Sequence, residues 1–471
     1  MTRLTIIIAI LLPLMLSSCT SLPSQTKAQT QTEGIAITHV NLIDAQRGLI
    51  EDVTVVIEGD EITSISRSKT KPLVSTVIDG RNKYLIPGLW DMHVHLSYDK
   101  RFTDLMPKNF LAWGVTSVRD TGGMMENMLP IITRMRSENA VSPRVFFSGP
   151  LLDGRHVVYD GHSRPLIGTT NPSAEHAREN VQRLKAAGVD FIKIYELVTP
   201  EVFAALVDEA EKLNLPIASH VPLHMLASDA GSRVDSMEHL RNVELDCAKN
   251  ADSLLLTRKK LMEAEPKSGY ALRASLHSLQ RLSAIAVLDE TRCAEVLSHL
   301  TQTIQVPTLR LNALPLAPPF EQDDWKDALA DMLPEVQQAW ALRPESFPKN
   351  ITDRDLRFSN YSLAMVKRMF DAGVPIGAGT DTPIGIAVPG YSLHRELELL
   401  VRAGLTPLQA IESATIRPAE FLHLEDKMGT IDVGKRADLV LLSANPLEDI
   451  RNTRKIDAVI SRGKIVTLKQ N

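Results

Sequence analysis

Between residues 35 and 85 the chain is cut into short apolar runs of strand length, 35–43, 53–57 and 62–65. Turn-forming residues separate them, including Glu58-Gly59-Asp60 and Asp79-Gly80. Similar runs return near the other end, at 437–442, 458–460 and 464–466. Two β-rich ends around a different middle predict one small β-sandwich, residues 34–86 supplying its first part and 425–471 its second. From 87 to 424 the period changes. Short apolar strands at 89–95, 115–120, 144–148, 191–195, 217–220, 236–239, 304–308 and 375–381 alternate with amphipathic helical stretches such as 174–187 and 200–213. This alternation predicts an α/β fold, a (β/α)8 TIM-type barrel. An open doubly wound sheet competes with it, but no glycine-rich phosphate turn follows the first strand. The connection at about 244–291 is long and helical in pattern, an inserted lid or subdomain.

The first residues are apolar in another way. Arg3 is the only charge before an apolar run over 4–16, which leads into Leu16-Ser17-Ser18-Cys19. A basic start, a short apolar core and small residues before a cut predict a signal peptide over 1–18. As a helix that run spans about 20 Å, short of a hydrocarbon core of roughly 30 Å. The residues before Cys19 resemble a bacterial lipobox, implying a lipid on Cys19, a cell-envelope location and a membrane contact made only through that anchor. Thr20 after it favours the outer membrane, facing the periplasm. Residues 19–33, rich in Ser, Thr and Gln, read as a tether. An ordinary signal peptide with an incidental cysteine is the alternative.

Composition narrows the function classes. Hydrophobic residues at 44% and charged residues at 23% are ordinary globular values. A net charge of −5 with no basic tract argues against a nucleic-acid partner. Three cysteines cannot build a disulfide framework or a thiolate zinc cluster. In an oxidising compartment Cys247 and Cys293 either pair or remain buried thiols.

The histidines carry the chemistry. Asp91-Met92-His93-Val94-His95 closes the first strand, where residues two apart face the same side, so His93 and His95 can reach one metal. His220 ends the fifth strand, His239 the sixth and Asp381 the eighth. Four imidazoles and a carboxylate at the C-terminal ends of barrel strands point to a metal centre, since core polar groups would each need a private partner. Lys193, between Ile192 and Ile194, faces inward if its neighbours pack against helices. A buried ammonium is costly unless paired or neutralised. Carbamylation by carbon dioxide beside two metals is one solution; a salt bridge to Glu196 or Asp190 is the other.

Over about 34–466 the chain resembles the metal-dependent amidohydrolase superfamily, in its imidazolonepropionase-related branch with prolidase-like dipeptidases. The motifs are Leu85-Ile-Pro-Gly-Leu-Trp-Asp-Met-His-Val-His95, Val118-Arg-Asp-Thr-Gly-Gly123, Ala378-Gly-Thr-Asp381 and Gly429-Thr-Ile-Asp-Val-Gly-Lys-Arg-Ala-Asp-Leu439. The resemblance implies two divalent ions. One is held by His93, His95 and Asp381, the other by His220 and His239, with carbamylated Lys193 between them. Zinc suits these ligands best, and manganese, cobalt or iron also fit. It further implies a metal-bridging hydroxide attacking an amide carbonyl, with Asp381 moving its proton to the leaving nitrogen.

The expected substrate is a small amide, either a dipeptide of Xaa-Pro type or an N-acyl amino acid. A cyclic amide or lactone hydrolase is one alternative, and a non-catalytic ligand- or metal-binding surface lipoprotein is another. A deaminase is disfavoured by Lys193 and by the lack of a clear glutamate base after the fifth strand. Asp160-Gly161-His162 resembles the Gly-Gly-His of peptidase-like relatives, implying that His162 holds a substrate carboxylate; the first position departs from that pattern. Tyr195 is a second candidate for substrate contact, with Arg155 and His156 weaker ones, and Asp120 a candidate for orienting ligands from behind. The helix near 392–403 presents Glu396 and Glu398 as a solvated face. Family members often pair, so a homo-oligomer is compatible with the chain.

Overall fold

The computed structural model describes residues 32–67, 72–162, 164–263, 268–341 and 351–468. Cys19 and the expected signal lie outside them. Five strands open the described chain: β1 (Thr32–Asp44), β2 (Gly48–Glu58), β3 (Glu61–Ser66), β4 (Val74–Asp79) and β5 (Tyr84–Pro87). Nine short parallel strands follow: β6 (Leu89–Val94), β7 (Val115–Asp120), β8 (Arg144–Phe147), β9 (Leu151–Leu152), β10 (Gly168–Thr169), β11 (Ile192–Ile194), β12 (Ile217–Ser219), β13 (Ser236–Glu238) and β14 (Ile304–Val306). β15 (Leu439–Leu442), β16 (Ile456–Ser461) and β17 (Lys464–Leu468) close the chain.

The two β-rich ends join within one eight-stranded sheet, ordered β17-β16-β15-β5-β1-β2-β3, with β4 also on β1. The seam is β5 against β15, antiparallel, pairing Pro87 with Leu439 and Tyr84 with Leu442. Alternation explains the sheet's core. Val53, Val55 and Ile57 of β2 point inward and share a cluster with Ile37 and Leu42 of β1, Leu439 and Leu441 of β15 and Ile460 of β16. Each such aliphatic side chain taken out of water contributes about 1.5–3 kcal/mol.

The middle strands form two parallel sheets, β6-β7-β8 and β10-β9-β11-β12-β13-β14. Their residues are almost all buried, as expected where both faces are covered. The eighth strand expected at 375–381 is not a strand. That segment makes only isolated parallel bridges, Gln305 with Ile376 and Val94 with Thr382. Its backbone still hydrogen-bonds both sheets: Gly377 N to Gln305 O at 2.8 Å, Met92 N to Ala378 O at 2.9 Å and Asp381 N to His93 O at 2.7 Å. Close approach explains the irregularity, since a Cβ on Gly379 would sit 2.6 Å from Val306 Cγ1 and 2.8 Å from His93 Cβ.

Helices pack between the strands. Ala174–Ala186 starts at the Ser173 cap and Pro200–Lys212 at Thr199, each close to its expected range. The 244–291 region is helical as expected, with Val243–Asp246, Ala251–Met262, Gly269–Ala286 and Glu290–Ser298 joined by a Cys247–Cys293 disulfide. One face departs from expectation. On Tyr391–Ala403, Glu396 is fully buried and accepts from Leu309 N and Arg310 N at 2.8 and 2.7 Å, while Glu398 pairs with Arg395 and Arg454. The carboxylate is spent on the N-terminus of the short helix Leu309–Asn312, so this face is not solvated. No described helix is long and apolar enough to cross a membrane.

Candidate active site

The C-terminal ends of β6, β11, β12 and β13 and the segment 375–382 converge on one small, narrow cavity. His93, His95, Lys193, His220, His239, Asp381 and Tyr195 all line it. A larger cleft around Asp235, Pro375 and His423 carries none of these residues.

Each imidazole is fixed through Nδ1. His93 meets Glu238 at 2.6 Å, His95 the carbonyl of Gly122 at 3.0 Å, and His220 Glu196 at 2.7 Å. His239 meets the Thr308 hydroxyl at 2.6 Å, whose own hydrogen goes to Pro307 O. Since these partners accept, Nδ1 carries the hydrogen on every ring and Nε2 a bare lone pair. Asp381 Oδ1 lies 3.1 Å from His95 Nε2 and 3.4 Å from His93 Nε2, and Oδ2 3.9 Å from His239 Nε2. Lone pairs facing a carboxylate repel unless cations lie among them. One ligand atom from each of His93, His239 and Asp381 falls within 4.8 Å of the others, so the residues fit a metal.

The electrostatics agree. Burial pushes His93 down to about 4 and His220 and His239 well below the usual imidazole range, which keeps them neutral. Burial also opposes charge on His95, but Asp381 outweighs it and raises that ring; a cation between the two replaces that proton. Asp381 is itself held low, because His93 and His95 overcome its burial. Lys193 is fully buried and its Nζ makes no hydrogen bond; Glu238 Oε1 is 3.5 Å away. Neither alternative salt bridge forms. Asp190 is taken by Arg136 and the Phe147 amide, and Glu196 by His220, Arg273 and His277. Burial brings the Lys193 ammonium down to about 8, so a neutral amine is accessible near neutral pH.

Backbone strain gathers here. His239 (φ 66°), Asp381 (φ 60°) and Thr308 (φ 46°) sit in the left-handed region, at a cost of about 1–3 kcal/mol each. Strand alternation would send His239 away from the side that Glu238 faces; the positive φ turns it back. Asp91 holds the other flank, accepting from His93 N (3.1 Å), Thr380 N (2.9 Å) and Thr380 Oγ1 (2.5 Å). Arg310 grips the carbonyls of Thr380, Ile384 and Ile386 beyond it.

Two expectations need correction, that for His162 and that for Arg155 and His156. His162 is exposed and does not line the cavity: Asp160 Oδ1 accepts from its backbone N, and the turn through Gly161 (φ 87°) carries it to the surface. Tyr159 of the same loop lines the wall instead. Arg155 and His156 also lie off the wall. Asp120 touches no ligand directly, bracing the amides of Leu96 (2.6 Å) and Gly122 (3.0 Å), and Gly122 O then holds His95. Sequence reasoning missed four contributors. Glu238 joins His93 to Arg119, Glu196 joins His220 to the inserted helix, and Arg241 and Arg273 line the cavity. The one available signal was position, as Glu238 directly precedes His239 and Glu196 follows Tyr195.

Comparison with known proteins agrees with this geometry. Residues 84–466 match the model of the Amidohydrolase family, and the chain belongs to that family. It is similar to an imidazolonepropionase of Alkaliphilus metalliredigens, 22% identical over 464 residues, covering 89% of this chain and 92% of that one. It is equally similar to a 5-methylthioadenosine/S-adenosylhomocysteine deaminase of Caldanaerobacter subterraneus subsp. tengcongensis, 22% identical over 490 residues and covering 93% of each chain. Among solved structures, an Xaa-Pro dipeptidase with methionine bound in its active site superposes with a TM-score of 0.66 at 20% identity, covering 92% of this chain and 99% of that one. The protein is a metal-dependent amidohydrolase enzyme.

Proposed function

We propose that this enzyme hydrolyses small amides, dipeptides of Xaa-Pro type or N-acyl amino acids, at a pair of divalent ions, zinc by ligand type, with a carbamate on Lys193 between them. The observation that carries the reading is the buried Lys193 amine, without a hydrogen bond and with only Glu238 at 3.5 Å, among four inward Nε2 lone pairs and Asp381. A mononuclear centre would leave that amine only its ion pair with Glu238. His93, His95 and Asp381 would hold one ion, and His220 and His239 the other. When bound, such ions polarise a carbonyl and lower the pKa of a water to roughly 7. The chain does the rest. Asp381, held ionised, takes a proton from the attacking water and delivers it to the departing nitrogen. Glu238 and Glu196 keep His93 and His220 in the tautomer that leaves Nε2 free. Tyr159 and Tyr195 wall the cavity and limit water.

We also read the parallel strands with 375–382 as a (β/α)8 barrel. Support comes from the hydrogen bonds that segment makes to β14 and β6, and from Tyr195 N to Leu152 O between β11 and β9. The lipobox at Cys19 supports anchoring in the cell envelope.

The test is hydrolysis of Xaa-Pro, Xaa-Arg/Lys and N-acyl amino acid panels by protein loaded with zinc and bicarbonate, with and without chelator. Chelator-sensitive cleavage in one panel is expected. Silence with two metals bound would rule out these amides in favour of cyclic amides or lactones. Silence with no metal bound would favour a ligand-binding lipoprotein.

A further inference from the structure

One side of the cavity is cationic beyond anything the metal site needs. Glu196 accepts from three donors: His220 Nδ1, His277 Nε2 at 2.8 Å and Arg273 Nε at 3.1 Å. Arg241 Nε stands 3.5 Å from the same carboxylate. His277 takes an N–H from Arg281 on its other nitrogen, so it is neutral. One carboxylate thus faces two guanidiniums, leaving a surplus positive charge. The donors are also unspent. Arg241 makes no hydrogen bond among the described residues, its Nε is buried without a partner, and Arg273 uses only Nε. Unpaired donors beside a sheltered cavity cost free energy until something accepts from them. A planar fork of N–H groups matches a carboxylate in two-point fashion, and two such forks match it better.

Both arginines are held in place. Arg241 lies on the left-handed turn after β13, where Leu240 (φ 57°) and Asn242 (φ 65°) flank it. Asn242 is tied to Val221 O at 3.1 Å and to Arg258 at 2.9 Å. Arg273 comes from the inserted helix Gly269–Ala286.

We propose that Arg241 and Arg273 form a two-guanidinium grip for a substrate carboxylate, so that the enzyme takes only amides whose leaving amine carries a free carboxylate. This rests on the amide-hydrolase reading. It gives the helical insertion a task, delivering half of the grip, and it replaces His162 in that role.

The probes are N-methylphosphonyl-L-proline and N-methylphosphonyl-L-leucine, each with its carboxamide, titrated by calorimetry into the metal-loaded enzyme. The acids should bind about tenfold tighter or better than the carboxamides, in keeping with a charge-assisted pair. Arg241→Met should abolish that preference while leaving carboxamide affinity and metal content unchanged. Arg241→Lys, which keeps the charge but loses the fork, should be intermediate. Equal binding of acid and carboxamide, no binding of any acid, or an Arg241→Met enzyme that still prefers acids would overturn the grip. Turnover separates the two readings. Acid preference in binding without cleavage of any dipeptide or N-acyl amino acid leaves the grip standing and removes the assignment of these amides as substrates. Cleavage of amidated substrates as fast as free acids does the reverse.

Discussion

At the residue scale, the site works by tying each imidazole's Nδ1 to an acceptor outside the cavity and turning its Nε2 inward. Lys193 is the exception, a buried amine with no acceptor in hydrogen-bonding range. Lys193→Ala should lose most bound metal and most turnover. Two full equivalents by elemental analysis, with a normal rate, would contradict the carbamate. Asp381→Asn keeps a ligand oxygen but cannot take a proton, so kcat should fall by about 10²–10⁴ with part of the metal retained; a near-normal kcat would remove its proton-transfer role. Glu238→Gln tests the support behind His93. It should weaken metal binding about 10–100-fold, as losses behind a ligand commonly do, and a chelator competition showing no change would demote Glu238 to a partner of Arg119 alone.

At the scale of elements, what was legible followed local rules. The ranges of β6, β7 and the helices Ala174–Ala186 and Pro200–Lys212 came, to within a residue, from apolar period. The imidazoles, Lys193 and Asp381 that line the cavity came from expected strand ends. What was not legible depends on chain reversals and distant partners. Gly379, which lets 375–382 lie close to His93, keeps that segment from forming the strand its apolar pattern suggested. The turn of His239 through positive φ, and an inserted helix reaching back to Glu196, leave no periodic trace. Nor does a turn that sends His162 outward while Tyr159 faces in. The same limit applied to Tyr391–Ala403, where charged residues suggested solvent and the structure buries Glu396 and His394. His394 bonds the Trp113 carbonyl and Thr453, and burial pushes it down to about 4. Its folded pKa is therefore below the unfolded value of about 6.5, so stability is lost as pH falls through that window, where only the unfolded chain takes the proton. His394→Gln should flatten the decline of Tm between pH 6.5 and about 4; an unchanged slope would mean that other groups govern it.

At the scale of the whole molecule, the anchor proposed at Cys19 stands apart in sequence from the residues that line the cavity. Cys19→Ser should shift the protein from the membrane fraction to the soluble fraction while leaving turnover intact; persistence in the membrane would sink the lipobox reading. The sheet that joins both ends has a consequence of its own. β5 and its partner β15 stand about 350 residues apart in sequence, a separation that makes their pairing slow. During synthesis β5 must therefore wait with an open edge, a template for pairing with the wrong chain, until β15 arrives. A strand made late thus seals one made early, and a ribosomal stall or proteolytic nick between them leaves a sticky fragment rather than a smaller enzyme.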